Sequence, residues 1–346
     1  MKAAQYIKAG QVEYREVPLA EPKDDEIRVK VAYCGICGIC GTDLHIFKGH
    51  MDARVKAPQA VGHEVSGTVA AMGKNVRGFT IGQKVTVRPL DNCGECNTCK
   101  AGFTHICEKL RFLGIETAGG FAEYWTVPAR LVHALPAELP LKLAALVEPL
   151  AVACHDVRRS ELKKGDYVVV NGGGPIGMLI AICARAAGGN VTLCEINEKR
   201  LDLARKLGFK VINPLKDDPV AIVRSETGGS GADVVFEVSG SEPGALVITQ
   251  LARPRGTIVV VAIYSKPVPV DLHKFFWKEL RMIGARVYEA QDYEQAIALT
   301  AGGTLPLETL ISKVFPLAEL QNAFEFLTRT PDAMKVLIQC NDEVEK

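Results

Sequence analysis

The sequence has 346 residues, with 41 basic and 40 acidic side chains and a formal net charge of +1. At roughly 150 residues per domain, this length predicts two domains. No block of like charge is long enough for a nucleic-acid arm, no apolar run approaches the roughly 18 residues that span a bilayer, and the first residues lack a signal peptide's apolar stretch. Composition therefore argues against nucleic-acid and membrane partners and predicts a cytoplasmic protein that binds a small molecule.

Residues 1 to about 150 consist of short, β-rich segments separated by Gly, Pro and Asn turns, such as IRVKVAYC, SGTVAAMG and QKVTVRP. This pattern predicts an irregular β domain or a small barrel. We place this domain at residues 1–152. We expect residues 290–346 to complete it, because the alternation of strands and helices that follows this domain lapses near Val287, where a doubly wound sheet already has its six strands.

From Asp166 onward, apolar runs alternate with amphipathic stretches: YVVVN, PIGMLIAICARAAG, NVTLCEI, NEKRLDLARKLG, ADVVFEV, EPGALVITQLA and GTIVVVA. Strands that alternate with helices form a parallel sheet covered on both faces. The predicted fold class is therefore α/β, with a doubly wound parallel sheet at residues 153–289.

A glycine-rich loop follows the first strand of that sheet, in the segment VVVNGGGPIGM. Gly172 permits the tight turn, Gly174 lets backbone approach a pyrophosphate, and Gly177 lets the helix pack on the strand. Pro175 lies between them, where the helix N-terminus would face the phosphates. Glycine-rich loops are often only turns, but the full order of strand, loop, helix, strand and acid favours a dinucleotide site.

The acid of this motif is Glu195, which ends the second strand 18 residues after Gly177 (195 − 177). A carboxylate there can bind both ribose hydroxyls of the adenosine and repel a 2′-phosphate, which favours NAD over NADP. Arg200, on the following helix, is either a ribose contact or part of a solvated face.

Four cysteines lie in the segment DNCGECNTCKAGFTHIC, with the spacing C-x2-C-x2-C-x7-C. Thiols stay reduced in the cytoplasm, so disulfides are not expected. Four thiolates can close a tetrahedron around a structural zinc ion. An iron–sulfur cluster is the rival interpretation, although the bacterial ferredoxin motif places its fourth cysteine nearer and follows it with proline. The predicted zinc ligands are Cys93, Cys96, Cys99 and Cys107.

A second group of candidate ligands is spread over the segments GICGTDLH, VGHE and VEPLAVACHD. A thiolate, an imidazole and carboxylates are the ligand mix of a catalytic zinc ion, which polarises an alcohol oxygen. Each segment also has a structural interpretation, since a glutamate before a proline can simply start a helix. The candidate ligands are Cys40, His63, Glu64 and Glu148.

Thr42 and His45 follow the candidate thiolate and suggest a proton relay. The Thr42 hydroxyl can accept the alcohol proton and pass it, through the cofactor ribose, to His45, whose imidazole titrates in a useful range. A lone histidine such as His45 is more often a surface residue than a catalyst.

The segments GHE, the four-cysteine lobe, EPLAVA and GGGPIG occur in an order that resembles the zinc-containing medium-chain alcohol dehydrogenase family, over essentially the whole chain. This resemblance implies a GroES-like catalytic domain, a Rossmann domain, one catalytic and one structural Zn²⁺, and a homotetramer or homodimer. Glu148 stands where liver-type enzymes place a cysteine, which resembles the polyol, butanediol and threonine dehydrogenase branch. The segment PVPVDLHKFFWKELRMIGARVY is most similar to butanediol dehydrogenases.

The resemblance also assigns roles to residues. Cys40 and His63 are implied to be direct zinc ligands, and Glu64 and Glu148 to bind zinc directly, through water, or by exchange during turnover. Four further positions are implied to contact the cofactor: Ile176, Val261, Ile263 and Arg286.

One segment departs from the family pattern, because relatives read CGICGTD once and this chain reads CGICGICGTD. Cys37 therefore competes with Cys40 for the ligand role. We choose Cys40, which alone is followed by Gly-Thr-Asp-Leu-His. An extra three residues must bulge somewhere, and a misplacement of about 1 Å can cost on the order of a hundredfold in rate.

The sequence thus predicts a zinc-dependent oxidoreductase that transfers a hydride between a secondary alcohol, vicinal diol or polyol and NAD. The alternative is a zinc-stabilised NAD-binding protein with impaired or no turnover. A third interpretation, an iron–sulfur electron carrier fused to a Rossmann domain, would require a brown protein.

Overall fold

The structure is a computed structural model that describes residues 1–36 and 42–341. The chain divides into two compact units. Unit 1 comprises Met1–Pro149 together with Glu289–Lys346, and unit 2 comprises Leu150–Tyr288. Among the described residues, no helix is long and apolar enough to cross a bilayer.

The elements up to the helix that crosses the boundary between the two units are mostly short strands. They are β1 (Lys2–Lys8), β2 (Gln11–Glu16), β3 (Glu26–Ile36), α1 (Thr42–Phe47), β4 (Gln59–Ala60), β5 (Glu64–Met72), β6 (Lys84–Val87), β7 (Leu90–Asp91), α2 (Asn97–Lys100), β8 (Arg111–Phe112), β9 (Tyr124–Pro128), β10 (Val132–Ala134), α3 (Leu141–Ala144) and α4 (Val147–Ser160).

Strands and helices then alternate: β11 (Tyr167–Asn171), α5 (Pro175–Ala186), β12 (Asn190–Cys194), α6 (Glu198–Lys206), β13 (Lys210–Ile212), α7 (Pro219–Glu226), β14 (Ala232–Glu237), α8 (Glu242–Leu251), β15 (Ala252–Val260), α9 (Leu272–Lys278) and β16 (Arg281–Gly284). The chain returns to unit 1 with α10 (Ala290–Ala301), β17 (Ile311–Pro316), α11 (Leu320–Arg329) and β18 (Lys335–Gln339).

The main sheet of unit 1 has the strand order β10-β6-β5-β3-β18-β17, with β9 also paired to β3. β3 is antiparallel to both β5 and β18, so the C-terminal end of β3 lies between the first residues of its two neighbours. In the register, Gly35 is opposite Glu64 on one side and Leu337 on the other. This arrangement brings the beginning of β5 and the beginning of β18 to the same end of the sheet.

Side chains from both parts of unit 1 share one hydrophobic core. Phe121 and Trp125, from the first part, and Phe324, from α11, are all buried in it. The Phe324 ring stacks on Phe47 of α1 with centroids 4.8 Å apart. The returning C-terminal segment is therefore an integral part of the first unit.

Unit 2 is a parallel sheet in the order β13-β12-β11-β14-β15-β16. Consecutive residues Val168, Val169 and Val170 of β11 are all fully buried, so both faces of this strand are covered. The order reverses between β11 and β14, which is the position where doubly wound sheets bind ligands. The α/β fold predicted from the alternating pattern is thus confirmed.

Candidate metal and cofactor sites

The four cysteines of the lobe between β7 and β8 converge in the structure. Their sulfur atoms all lie within 4.8 Å of one another. Cys107 Sγ is 3.5 Å from Cys93 Sγ and 3.9 Å from Cys96 Sγ. A tetrahedral zinc site with zinc–sulfur distances of about 2.3 Å has edges of about 3.8 Å, so these separations fit the ion.

Backbone N–H groups also point at the sulfur atoms of this lobe. Cys99 N donates to Cys96 Sγ over 3.4 Å, and Lys109 N donates to Cys107 Sγ over 3.3 Å. The Cys99 N–H and other backbone groups lower the pKa of Cys96 to about 6. The thiolate form of Cys96, which is the form that binds metals, is therefore favoured near neutral pH.

A second set of candidate ligands meets in the interior of unit 1. His63 ends the loop before β5, Glu64 begins that strand, and Glu148 lies in the first turn of α4. One donor atom from each of these three buried residues lies within 4.8 Å of the others. The sequence segments VGHE and VEPLAVACHD, more than 80 residues apart (148 − 64 = 84), are thereby brought together.

Burial controls the protonation of the imidazole in this group. Desolvation, and then the Lys335 ammonium, lower the pKa of His63 to about 3. The ring is therefore neutral near pH 7, which is the form that binds metals. Its Nδ1 has no hydrogen-bond partner among the described residues, and Asp43 Oδ1 lies 4.0 Å away. A buried, neutral imidazole with two carboxylates within 4.8 Å fits a metal site.

Lys335 pairs with Glu64 in the same interior. Both side chains are almost completely buried, and the ammonium forms an ion pair with Glu64 Oε2. Burial raises the pKa of Glu64, while the Lys335 charge lowers it by a smaller amount. The Lys335 Nζ also donates to Ile36 O over 3.2 Å. The sequence analysis did not identify Lys335, although a lysine at the start of the apolar strand KVLIQ is an available signal.

Gly35 allows this ion pair to form across β3. A Cβ at this position would overlap the Glu64 carboxylate and come within 2.9 Å of Lys335 Cε. A side chain here would therefore separate the two charges.

The proposed relay residues lie on α1. Thr42 begins the helix, and His45 is exposed in its last turn. Cys37 and Cys40 lie outside the described residues, so the structure does not place the predicted thiolate ligand.

The glycine-rich loop connects β11 to α5 at the point where the sheet order reverses. Gly172 has a φ of +117°, and a Cβ there would lie 2.7 Å from Ser239 N. Gly174 is the N-cap of α5 and Pro175 its first residue. A Cβ on Gly177 would overlap the Gly172 carbonyl oxygen. The loop thus presents backbone N–H groups at a helix N-terminus, which is an anion-binding arrangement.

Glu195 directly follows β12 and its carboxylate accepts three backbone hydrogen bonds. The donors are Gly173 N at 3.0 Å, Ile196 N at 2.7 Å and Asn197 N at 2.9 Å. Arg200 Nη1 lies 3.4 Å from Glu195 Oε2. These bonds fix the Glu195 carboxylate beside the glycine-rich loop.

The four remaining cofactor candidates are less tightly grouped. Ile176 is in the first turn of α5, Val261 and Ile263 follow β15, and Arg286 follows β16. Val261 N donates to Glu237 O over 3.0 Å, which keeps it at the C-terminal edge of the sheet. Ile263 is 79% exposed.

Glu237, which the sequence analysis also missed, links the loops at this edge. It is fully buried, and its carboxylate accepts hydrogen bonds from Asn171 Nδ2 at 2.5 Å and Ser239 Oγ at 2.6 Å. Because Asn171 ends β11, this carboxylate ties the glycine-rich loop to the loop after β14.

Comparison with known proteins agrees with the candidate metal sites and with the candidate cofactor site. Residues 23–137 match the family model described as alcohol dehydrogenase GroES-like domain, and residues 175–302 match that of zinc-binding dehydrogenase. The chain is 53% identical over 343 residues to 2-dehydro-3-deoxy-L-galactonate 5-dehydrogenase of Pseudoalteromonas atlantica, covering 99% of this chain and all of that protein. The chain belongs to the zinc-containing alcohol dehydrogenase family. It is an oxidoreductase of that type.

Solved structures support the same assignment for this dehydrogenase. The 2R,3R-butanediol dehydrogenase of Bacillus subtilis has a TM-score of 0.90 and 31% identity, covering 98% of this chain and 99% of that one. A zinc-binding dehydrogenase from Sinorhizobium meliloti bound to NADP has a TM-score of 0.91 and 32% identity, with 98% of both chains covered. An E. coli alcohol dehydrogenase complexed with NADH has a TM-score of 0.90 and 28% identity, covering 98% and 99%. The resemblance inferred from motifs, including the butanediol dehydrogenase branch, is confirmed.

Proposed function

We propose that this dehydrogenase oxidises a secondary hydroxyl group of a sugar acid, polyol or vicinal diol and transfers the hydride to NAD. The observation that carries the proposal is the convergence of His63, Glu64 and Glu148 in the interior of unit 1. A buried neutral imidazole with two carboxylates suits a catalytic zinc site that also recruits a thiolate. We assign that thiolate to Cys40, which lies outside the described residues.

Zinc bound by these residues would polarise the substrate hydroxyl and let its proton leave near neutral pH. With the cofactor bound, the Thr42 hydroxyl would accept that proton, and His45 would be the group that takes it on towards solvent. His45 is exposed and releases the proton to water. We assign a second, structural zinc ion to Cys93, Cys96, Cys99 and Cys107, for which the sulfur separations provide support.

NAD is the proposed cofactor because of Glu195. Three backbone N–H groups hold its carboxylate at the end of β12, where it can bind ribose hydroxyls and repel a 2′-phosphate. An arginine at the position of Arg200 favours NADP when its guanidinium is free to bind the 2′-phosphate. In this structure Arg200 pairs with Glu195 instead. We assign the phosphates to the glycine-rich loop and the start of α5, and further contacts to Ile176, Val261, Ile263 and Arg286.

Within the substrate classes, we favour the C5 hydroxyl of a 2-dehydro-3-deoxy sugar acid. The relative with 53% identity is named for that reaction, whereas the butanediol dehydrogenase structure is 31% identical. We further propose a cytoplasmic location, where thiols stay reduced as the four-cysteine zinc site requires.

We also propose that the dehydrogenase is a homotetramer or homodimer. The edge strand β16 and the neighbouring helix α9 expose large apolar side chains, among them Phe276, Trp277 and Met282. An open strand edge flanked by an apolar surface favours pairing with another copy of the same chain.

The test combines zinc content with turnover. Elemental analysis of the purified protein should give two zinc ions per chain. Mild chelation should remove one of these zinc ions. The protein should then no longer catalyse the NAD-linked oxidation of 2-dehydro-3-deoxy-L-galactonate. L-Galactonate, butane-2,3-diol, sorbitol and L-threonine, each with NAD and with NADP, define the substrate and cofactor preference.

Two variants locate the catalytic metal. Glu148→Gln and His63→Asn should lower the zinc content towards one and the rate by at least about a hundredfold. Glu319→Gln, which changes an exposed carboxylate in the same unit, serves as the control. A single tightly held zinc ion and bound NAD, without NADH formation on any substrate, would instead establish the alternative, an NAD-binding protein impaired by its repeated Gly-Ile-Cys.

A further inference from the structure

His50 lies against the relay residue His45. Their Nδ1 atoms are 3.1 Å apart, and the ring centroids are separated by 5.4 Å. His45 is in the last turn of α1 and His50 in the turn that follows, where His50 N also donates to His45 O over 2.8 Å. Both side chains are exposed to solvent.

A hydrogen bond between two Nδ1 atoms requires one proton and one lone pair. A neutral imidazole carries its proton on one nitrogen and a lone pair on the other. If His45 donates through Nδ1, its Nε2 keeps a lone pair and can accept a proton. If His50 donates, His45 carries its proton on Nε2 and cannot accept another there.

We propose that His50 is a positioning residue that holds His45 in the Nδ1–H tautomer, so that His45 Nε2 accepts the alcohol proton. This inference rests on the proposed function. During oxidation, the alcohol proton arrives at Nε2 while the Nδ1–H bond stays intact. The imidazolium donates through Nδ1 to the neutral His50, and the proton then leaves Nε2 for water. His50 itself gains and loses no proton.

The surroundings of the pair keep His45 ready to act as a base. Partial burial contributes most, followed by His50 and then Lys48, and together they lower the pKa of His45 below its usual value. The neutral form of the ring therefore persists to lower pH. The next acidic group along the loop, Asp52, accepts a hydrogen bond from Tyr6 Oη at 2.5 Å.

Two substitutions of His50 test whether its hydrogen-bond acceptor, and not only the bulk of its side chain, is needed. In His50→Asn, the amide oxygen can occupy the place of Nδ1 and accept from His45, but in His50→Leu no acceptor remains. We expect His50→Leu to lower the single-turnover rate of NADH formation about tenfold, as the loss of one hydrogen bond implies. His50→Asn should stay within about twofold of wild type. The loss should persist on the high-pH plateau, where the tautomer and not the charge of His45 differs.

A double-variant cycle then tests whether His50 acts through His45. In the His45→Gln background, His50→Leu should cause no further loss. Arg77→Gln, whose guanidinium donates to the backbone carbonyl groups of Lys74 and Val76, is the surface control. A wild-type protein without NADH formation would refute the proposed function itself. An active wild type with an unaffected His50→Leu, an equally slow His50→Asn, or additive losses in the cycle would overturn the role of His50 alone.

Discussion

Lys335 places a positive charge in the interior beside residues that we assign to the catalytic metal. Its ammonium meets the Glu64 carboxylate only because Gly35, between them on β3, has no side chain. Removing both charges from water is costly, and a buried pair often contributes little net stability. Its effect is to fix the Glu64 carboxylate in one place near His63 and Glu148.

Breaking this pair from one side should destabilise the protein. We expect Lys335→Met to lower the free energy of unfolding by about 3–5 kcal/mol, because Glu64 is left buried without its partner. Urea unfolding measures the change, with zinc content determined on the same samples. Lys8→Met, at an exposed strand end, is the matched control.

The double variant Lys335→Met/Glu64→Gln should recover most of the lost stability, since neither buried charge then remains. If the single and double variants are equally unstable, packing of the lysine stem and not its charge holds β18 in place.

In the glycine-rich loop, Gly174 and Gly177 are glycines for different reasons. Gly177 is required for packing, because a Cβ there would overlap the Gly172 carbonyl oxygen. Gly174 has open space around its Cβ position, with only Arg200 Nη1 at 3.5 Å. Any requirement for glycine at position 174 must therefore come from a ligand.

Alanine substitutions should separate these two tasks. Gly177→Ala should destabilise the fold by about 3 kcal/mol through overpacking. Gly174→Ala should change stability by no more than about 1 kcal/mol, the scale of an N-cap change. It should nevertheless weaken NADH binding about tenfold or more, because the methyl group stands where backbone approaches the pyrophosphate. Thermal unfolding and NADH fluorescence titration report the two effects, and unaltered binding by Gly174→Ala would contradict the assignment of the loop.

The cysteine lobe should behave as an independent metal-bound element. We expect Cys99→Ser to lower the zinc content by one ion per chain and to make residues 92–109 sensitive to trypsin. Cys194→Ala, a buried cysteine of β12, should leave both properties unchanged. The protein should be colourless throughout, and visible absorbance would favour the iron–sulfur interpretation instead.

The sequence predicted those elements that a strong local pattern marks, such as an apolar run or a fixed spacing of glycines. The strands β11, β12, β14 and β15 are apolar runs with flanking helices, and the glycine-rich loop has a fixed spacing. Helix α9 gave no such signal, because none of its residues is buried and no apolar period marks it. Pairings across the sheet were equally invisible, since nothing local links Lys335 to Glu64. The candidate zinc ligands His63, Glu64 and Glu148 could be predicted only as members of separate segments. The distances between their side chains depend on the fold.

At the scale of the whole molecule, the surface of unit 2 formed by α9 and the edge strand β16 exposes several large apolar side chains. Trp277 and Phe276 of α9 are 69% and 77% exposed, and Met282 of β16 is 43% exposed. β16 pairs only with β15 among the described strands, so its other edge is open. Two copies related by a two-fold axis can pair such edges antiparallel, because an isologous contact uses the same surface twice.

If the proposed oligomer forms through this surface, charged substitutions on it should leave a smaller species. We expect Trp277→Glu combined with Met282→Lys to halve the mass found by light scattering after size exclusion, because charge must be buried to keep the contact. Leu215→Glu, which alters a residue that is 76% exposed elsewhere in unit 2, should keep the wild-type mass. A monomeric wild type, or a double variant of unchanged mass, would show that β16 and α9 are not the contact. If the mass halves while zinc content stays at two, assembly depends on this edge and not on either metal site.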